Sequence, residues 1–308
     1  MEAPFVSNTL IFSYNLGRFQ IRSELALPDL VPAADAQICA DLEIRFGPVP
    51  ENLPAPDLAM PACQTQGHDS FLLKVPGVGR YLLTNSTLLT IDPVLPRKTP
   101  EIAWFFMSSV LPVWAQAVGL MCLQAVSMEM NGQAVVLCGG PVSGKSTLVA
   151  QLAGQGHRII ADDPCLIDTS PRPAVLPTAR ALILTKESLG LLGHQIPEEY
   201  RVGFAHPSFR VPFPSCTGPT PLAMIVFLRS GPLSSPPVRT RLKGKDALRK
   251  LELSQSQRGP ISKMHRPKDK FLKAIQLLNA TPCFEMDRPS GTVQEIDFTG
   301  LLSSAEND

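Results

Sequence analysis

The chain has 308 residues, 44% of them hydrophobic and 18% charged, with a formal net charge of +1. That composition supplies one large or two smaller packed cores and excludes a chain disordered throughout, which would be poor in apolar residues and rich in net charge. It also excludes a global basic field of the kind that gathers nucleic acid, so no nucleic-acid partner is expected.

The 31 prolines favour loops and short strands over long helices. Cys39, Cys63, Cys122, Cys138, Cys165, Cys216 and Cys283 form no C-x-x-C pair and no Cys/His cluster. Neither a zinc site nor a disulfide framework is expected, and a reducing, cytoplasmic location fits. The opening Met-Glu-Ala-Pro lacks a basic segment followed by an apolar one, so no signal peptide is expected.

Residues 1–98 read as a β-rich region. Phe19–Ser23 and Asp41–Phe46 alternate with period two, as half-buried strands do. Phe71–Val75 and Arg80–Leu83 flank Pro76-Gly77-Val78-Gly79, a hairpin signature. Thr87–Asp92 makes another short strand, residues 48–61 a Pro-rich loop, and residues 92–100 a linker. From Ile102 to Met128 no residue is charged, a length that can span a bilayer. A buried helix followed by a strand is the preferred reading. Thr99-Pro100-Glu101 supplies an N-cap, a first-turn Pro and an acid, Gly119 a stop, and no basic cluster flanks the run. Trp104 and Trp114 are expected in the core of that helix.

Next come a strand near 121–126 and the strand Ala134–Cys138. A Gly-rich turn, a helix from Ser146 to about Ala153, and the strand Arg158–Ala161 complete a βαβ unit. Leu222–Leu228 reads as a further strand. Residues 269–279 read as a helix, with apolar spacing at Phe271, Ile275 and Leu278. The segment 239–273 carries 12 Lys/Arg against 3 Asp/Glu. It is either a solvated, partly disordered face or an arm that meets phosphates or an acidic peptide.

Gly139-Gly140-Pro141-Val142-Ser143-Gly144-Lys145-Ser146 satisfies G-x-x-x-x-G-K-[ST], and Thr147 follows in the first helical turn. The glycines let the backbone turn tightly and approach phosphate oxygens. The loop amides and the helix N-terminus then form an anion nest. Lys145 brings a point charge to the β- and γ-phosphates, and the Ser146 hydroxyl can ligate Mg²⁺. These residues, 139–147, are the expected nucleotide-binding set, for ATP with Mg²⁺. Seventeen positions after Lys145, the apolar Ile159-Ile160-Ala161 ends in Asp162-Asp163, where a strand would aim a carboxylate at the metal. Two adjacent acids suggest two jobs, one near the metal and one near a substrate hydroxyl.

The phosphate loop followed by Gly156-His157-Arg158-Ile159-Ile160-Ala161-Asp162-Asp163 resembles the catalytic domain of HPr kinase/phosphorylase, over roughly residues 100–290. Arg22–Pro28 and Asp41–Arg45 resemble the N-terminal pattern of the HPr-kinase-like proteins of lasso-peptide biosynthesis clusters. The resemblance implies an α/β fold, α+β overall. A β-rich N-terminal region (1–98) would precede a P-loop domain of the HPr-kinase/PEP-carboxykinase-like kind (99–300). It implies a serine kinase acting on a peptide or protein, in the lasso branch on the precursor's C-terminal Ser, with no membrane partner and self-association into a homo-oligomer. By position, Lys145 would act on the phosphates, Asp162 as general base, and Asp163 with Ser146 on the metal side.

The chain departs from the pattern at Gln124, where the family usually carries His, and at Gly140, where HPr kinase has Asp. Gln can hydrogen-bond a phosphate but cannot carry a proton as His can. Two other readings therefore stand beside the peptide kinase: a nucleotide-binding regulatory module without transfer, and a small-molecule kinase on the same scaffold. Arg210 could clamp a transferring phosphoryl group, but a surface role is the preferred reading. His157 is expected to pack at its turn, and Lys243 and Lys245 are weaker candidates for phosphate contact.

Overall fold

The computed structural model describes residues 10–34, 39–140, 143–193, 200–202, 208–231, 239–256 and 267–289. Pro141, Val142 and the stretch 290–300 lie outside the described residues.

The first nine strands are β1 (Phe12–Leu16), β2 (Phe19–Ser23), β3 (Val31–Pro32), β4 (Leu42–Phe46), β5 (Leu58–Ala59), β6 (Cys63–Gln66), β7 (Ser70–Val75), β8 (Gly79–Thr84) and β9 (Leu88–Pro93). They form one sheet in the order β3-β1-β2-β4-β9-β8-β7-β6-β5. The expected hairpin is β7–β8, paired from Phe71–Leu83 to Val75–Gly79. Strands β2 and β8 alternate buried with half-buried residues, so one face of the sheet carries the core.

That face is covered by the apolar helical stretch: α1 (Pro100–Phe105), a π-helical turn over Phe106–Val110, and α2 (Leu111–Ala117). Pro112 explains the wide turn. Its ring cannot share an α-helical turn with the carbonyl four residues back, so the Leu111 amide reaches to the Phe106 carbonyl instead. Trp114 is fully buried, edge-on to Phe19 at 5.5 Å, and its Nε1–H donates to the Ser86 carbonyl at 2.9 Å. Trp104 was expected in the core as well but is 50% exposed, packed edge-on to Phe105. Among the described residues, no helix is long and apolar enough to cross a membrane.

The expected strand over 121–126 is broken at Gln124 into β10 (Met121–Leu123) and β11 (Ala125–Met130). The break lets the Gln124 amide donate to the Ser254 carbonyl at 2.7 Å while β11 turns into another part of the sheet. Then follow β12 (Gln133–Cys138), α3 (Lys145–Gly154), β13 (Arg158–Asp162), β14 (Cys165–Asp168) and β15 (Ala174–Leu176). A small sheet contains β16 (Ala181–Thr185), β17 (Arg201–Val202) and β18 (Ser208–Pro212), with α4 (Lys186–Leu191) after β16. The chain continues through β19 (Thr220–Gly231), β20 (Arg239–Leu242), α5 (Gly244–Leu253), α6 (Pro267–Ala280) and β21 (Cys283–Pro289).

The second large sheet runs β10-β14-β15-β19-β12-β11-β13, with β21 also on β19 and β20 on β21. It is mixed: β12, β19 and β21 run parallel, while β11 lies antiparallel between β12 and β13. The expected βαβ unit therefore has a strand inserted between its two members. The Asn131-Gly132 turn, with φ of +53° and +80°, folds β11 back on β12 before α3 crosses over.

One face of this sheet packs Leu148, Val149 and Leu152 of α3 against Val126, Leu137 and Ile159. The other packs Ala247 and Leu251 of α5, with Ala274 and Leu277 of α6, against Ile160, Ile225 and Phe227. The face of α6 differs from the expected one, because Phe271 is 49% exposed while Ala274 and Leu277 take the core. The described part of the basic segment is folded into the domain. Lys250 pairs with Glu285, Lys273 donates to the Gly119 carbonyl at 2.7 Å, and Arg239 stacks 4.2 Å over the Phe284 ring.

Candidate active site

The loop after β12 is shaped by two glycines. A Cβ on Gly139 would stand 2.7 Å from Ser143 Oγ, which would have to move, and 3.2 Å from the Leu228 carbonyl, a tight contact. Gly144 caps α3 with φ +78°, a conformation that favours glycine. The Ser143 amide donates to the Gly140 carbonyl at 3.3 Å and tightens the turn. The Lys145 ammonium lies inside it, donating to the carbonyls of Gly139 and Gly140, both at 2.9 Å, and to Ser143 Oγ at 3.4 Å. Burial lowers the pKa of this lysine, an effect opposed by the nearby charges of Asp163 and Asp162.

The double acid stands at the end of β13. Register places it beside the loop: Ala125 of β11 pairs with Cys138, and the next residue, Val126, pairs with Asp162 on the other side. The Ser146 hydroxyl donates to Asp162 Oδ1 at 3.1 Å, and the Ile183 amide of β16 donates to Oδ2 at 2.8 Å. Loss of hydration pushes the Asp162 carboxyl up to about 6; the two donors only partly offset it. Asp163 follows with φ +27°, its amide held by the Ala125 carbonyl at 3.1 Å. Its side chain is exposed at the rim. Loss of hydration raises its pKa to about 6, partly offset by the nearby Lys145 charge.

The division of labour expected from the sequence set Asp163 with Ser146 on the metal side. The structure joins the Ser146 hydroxyl to Asp162 and sets the charge of Asp163 near the Lys145 ammonium. Of the other loop residues, Thr147 turns its hydroxyl to Ser188 Oγ on α4 at 2.7 Å. Ser188 is itself held by Thr185, the N-cap of α4, whose Oγ1 accepts from the Ser188 amide at 3.2 Å. Thus the single segment from Ile183 to Ser188 grips both the acid and the loop helix. The Thr185 cap is a signal visible in sequence; its alignment with Thr147 is not.

Gln124 is exposed and directly precedes Ala125, whose carbonyl anchors Asp163. Arg210 lies opposite Ile183 in the small sheet, but its guanidinium is paired with Asp29 of the N-terminal region. Asp29 also accepts from the Arg180 amide at 3.3 Å. That pairing ties Arg210 to the N-terminal region. His157 closes the C-terminal turn of α3 through its amide on the Leu152 carbonyl. Lys243 and Lys245 follow Leu242, which pairs with Cys283 at the start of β21. The loop stands toward the other end, where Cys138 aligns with Phe227 and Phe227 with Glu285.

These groups fit a nucleoside triphosphate with magnesium. The Gly139 position leaves little room for a Cβ, a lysine stands in the turn, and a hydroxyl and a carboxylate lie together beside it. Among the described residues, no group of three or more His, Cys, Asp or Glu could hold a metal by itself. A magnesium ion carried by phosphates needs only one or two protein ligands, and Ser146 with Asp162 could supply them.

No protein-family model matches the chain, and no curated protein sequence matches it. Among solved structures, the HPr(Ser) kinase/phosphatase from Coxiella burnetii is similar over 60% of this chain and 94% of that chain. The identity is 10% and the TM-score 0.27. A likeness of that degree adds no weight to the residue-level argument. The chain is thus characterised by its own geometry: a mixed α/β molecule with two large sheets and few helices, in which Ser146, after the Gly-rich loop, is hydrogen-bonded to Asp162.

Proposed function

We propose that the chain is an ATP- and Mg²⁺-dependent kinase that transfers a phosphoryl group to a serine hydroxyl on a peptide or protein. The Ser146–Asp162 hydrogen bond carries this reading, because it sets a metal-ligating hydroxyl and an acid together at the mouth of the loop. Lys145 and the loop amides would hold the β- and γ-phosphates. Ser146 and Asp162 would hold magnesium, which neutralises phosphate charge when bound. Asp163, exposed and raised toward about 6, would take the proton of the acceptor hydroxyl. As that oxygen bonds to phosphorus, the bond from phosphorus to the ADP oxygen breaks. The residues contribute positioning and charge, with no covalent intermediate.

The proposed acceptor is a lasso-peptide precursor with a C-terminal Ser, and the proposed location is the cytoplasm. Both rest on the sequence resemblance alone. Incubation with γ-labelled ATP and a Ser-ended peptide tests the reading. Label should appear on the peptide and be abolished in Lys145→Ala and Asp163→Asn; retained transfer in either would refute the role given to that residue.

A second reading, a nucleotide-binding module without transfer, is favoured by Gln124, which precedes Ala125, the residue whose carbonyl holds the Asp163 amide. It would prevail if nucleotide binds but no acceptor is ever labelled, and if Gln124→His then creates transfer.

A further inference from the structure

The second acid of the pair stands at a corner of the fold. β13 ends at Asp162 and β14 begins at Cys165, so Asp163 and Pro164 are the whole connection. β13 pairs with β11, while β14 pairs with β10 and β15, so these two residues carry the chain from one part of the sheet to another. A second corner lies beside them at Gln124, where β10 passes into β11. Asp163 adopts φ +27°, a left-handed value that costs free energy in a residue other than glycine and persists only where its surroundings impose it. Pro164 has no N–H with which to help.

Two hydrogen bonds hold the corner. The Asp163 amide donates to the Ala125 carbonyl at 3.1 Å, from one corner to the other. The Thr178 hydroxyl donates to the Pro164 carbonyl at 2.7 Å. Thr178 is buried, and the amides of Thr178 and Ala179 both donate to the Ile160 carbonyl, at 2.9 and 3.1 Å. The donor is therefore locked to β13 itself, two residues before Asp162, and cannot follow the corner if the corner moves. Among the described residues, the Asp163 carboxylate has no hydrogen bond of its own, so the backbone beneath it decides where it stands. It stands near the Lys145 ammonium, on which its charge acts more strongly than that of Asp162.

We propose that Thr178 is a positioning residue for Asp163: its hydroxyl, through the Pro164 carbonyl, fixes the corner and with it the carboxylate that takes the acceptor's proton. The role of Asp163 as base rests on the kinase reading; the hold of Thr178 on the corner rests on the hydrogen bonds alone. Asp162 is held separately, by Ser146 and Ile183, so loosening the corner should impair transfer and spare nucleotide binding.

The test uses the full chain with γ-labelled ATP and the Ser-ended peptide. Thr178→Val keeps the shape of the side chain, removes the donor and leaves the Pro164 carbonyl unpaired. It should lower kcat about tenfold or more, with peptide KM and Mg·ATP affinity within about twofold of the parent. Thr178→Ser, which keeps the hydroxyl, should return most of the rate. If the Val variant melts early, Thr178→Cys, a weaker donor of similar shape, reads the same comparison. A second arm needs no acceptor. In Thr178→Val the Asp163 amide should exchange with deuterium about tenfold faster, while the amides of Val136 and Leu137 in β12 keep their rates. A parent-like kcat in Thr178→Val, or equal loss of kcat and Mg·ATP affinity, would overturn the positioning role. Unchanged exchange at Asp163 would refute the hold on the corner. A parent that labels no peptide would refute Asp163 as base, and the exchange arm would still decide whether Thr178 fixes it.

Discussion

Ser146 Oγ donates to Asp162 Oδ1 over 3.1 Å, joining the first turn of the loop helix to the end of a strand two positions away in the sheet. The same carboxyl takes a second bond from the Ile183 amide, so both of its oxygens are committed before any ligand arrives. A carboxylate fixed in this way suits a metal better than a proton in flight, which is why the mobile proton is assigned to Asp163.

The acid pair makes stability depend on pH in a defined direction. Each carboxyl moves from an ordinary value of 3.8 to about 6 on folding. Between those values the folded chain binds more protons than the unfolded one. Stability contributed by the protonated acids is therefore complete below about pH 4 and is lost as pH rises through about 6. Urea midpoints from pH 4 to 7.5 should show that decline, and Asp162→Asn should flatten it. An unchanged slope in the variant would contradict the burial assigned to Asp162.

The two loop glycines differ in what they tolerate. Gly139→Ala forces a Cβ against Ser143 Oγ and the Leu228 carbonyl, whereas a Cβ on Gly140 meets no atom within 4 Å. Gly139→Ala should cost about 1–3 kcal/mol by thermal melting, the usual penalty for overpacking. Gly140→Ala should stay within about 0.5 kcal/mol of the parent.

Ser188 is expected to act on the loop from outside it. Ser188→Ala leaves the Thr147 hydroxyl without its partner at 2.7 Å and should cost about 1 kcal/mol. It should also weaken Mg·ATP binding several-fold in calorimetry. Thr185→Ala removes the cap of α4 and should cost a similar amount, about 1 kcal/mol. Ser188→Ala with unchanged nucleotide affinity would show that α4 does not position the loop.

Asp29→Ala would leave the half-buried Arg210 guanidinium without its carboxylate. A loss of about 1–2 kcal/mol is expected in denaturant titration, with nucleotide affinity unchanged, because Arg210 serves the join between regions. A selective loss of transfer without loss of stability would return Arg210 to the chemistry.

Local signals made much of this legible in the sequence. Period-two alternation located β2 and β4, and the Pro/Gly turn located the β7–β8 hairpin. The apolar strand, loop and double acid located β12, α3 and β13. What failed depended on distant contacts. Nothing in residues 134–162 shows that β11 would slip between β12 and β13, although Asn131-Gly132 was a hairpin signal in plain view. On α6, three large apolar residues suggested one face, but the small Ala274 allows close packing and leaves Phe271 outside. The partners of the site were hidden for the same reason. Ile183 is 21 positions from Asp162 and Ser188 is 41 from Thr147, separations over which a local pattern carries no pairing information.

The most direct test of the central claim is calorimetric titration of Mg·ATP into the parent chain and into Lys145→Ala. The account predicts saturable one-to-one binding in the parent and a loss of at least about 100-fold when the ammonium that sits in the loop is removed. Equal affinity in the two proteins, or no binding heat in a folded parent, would contradict it.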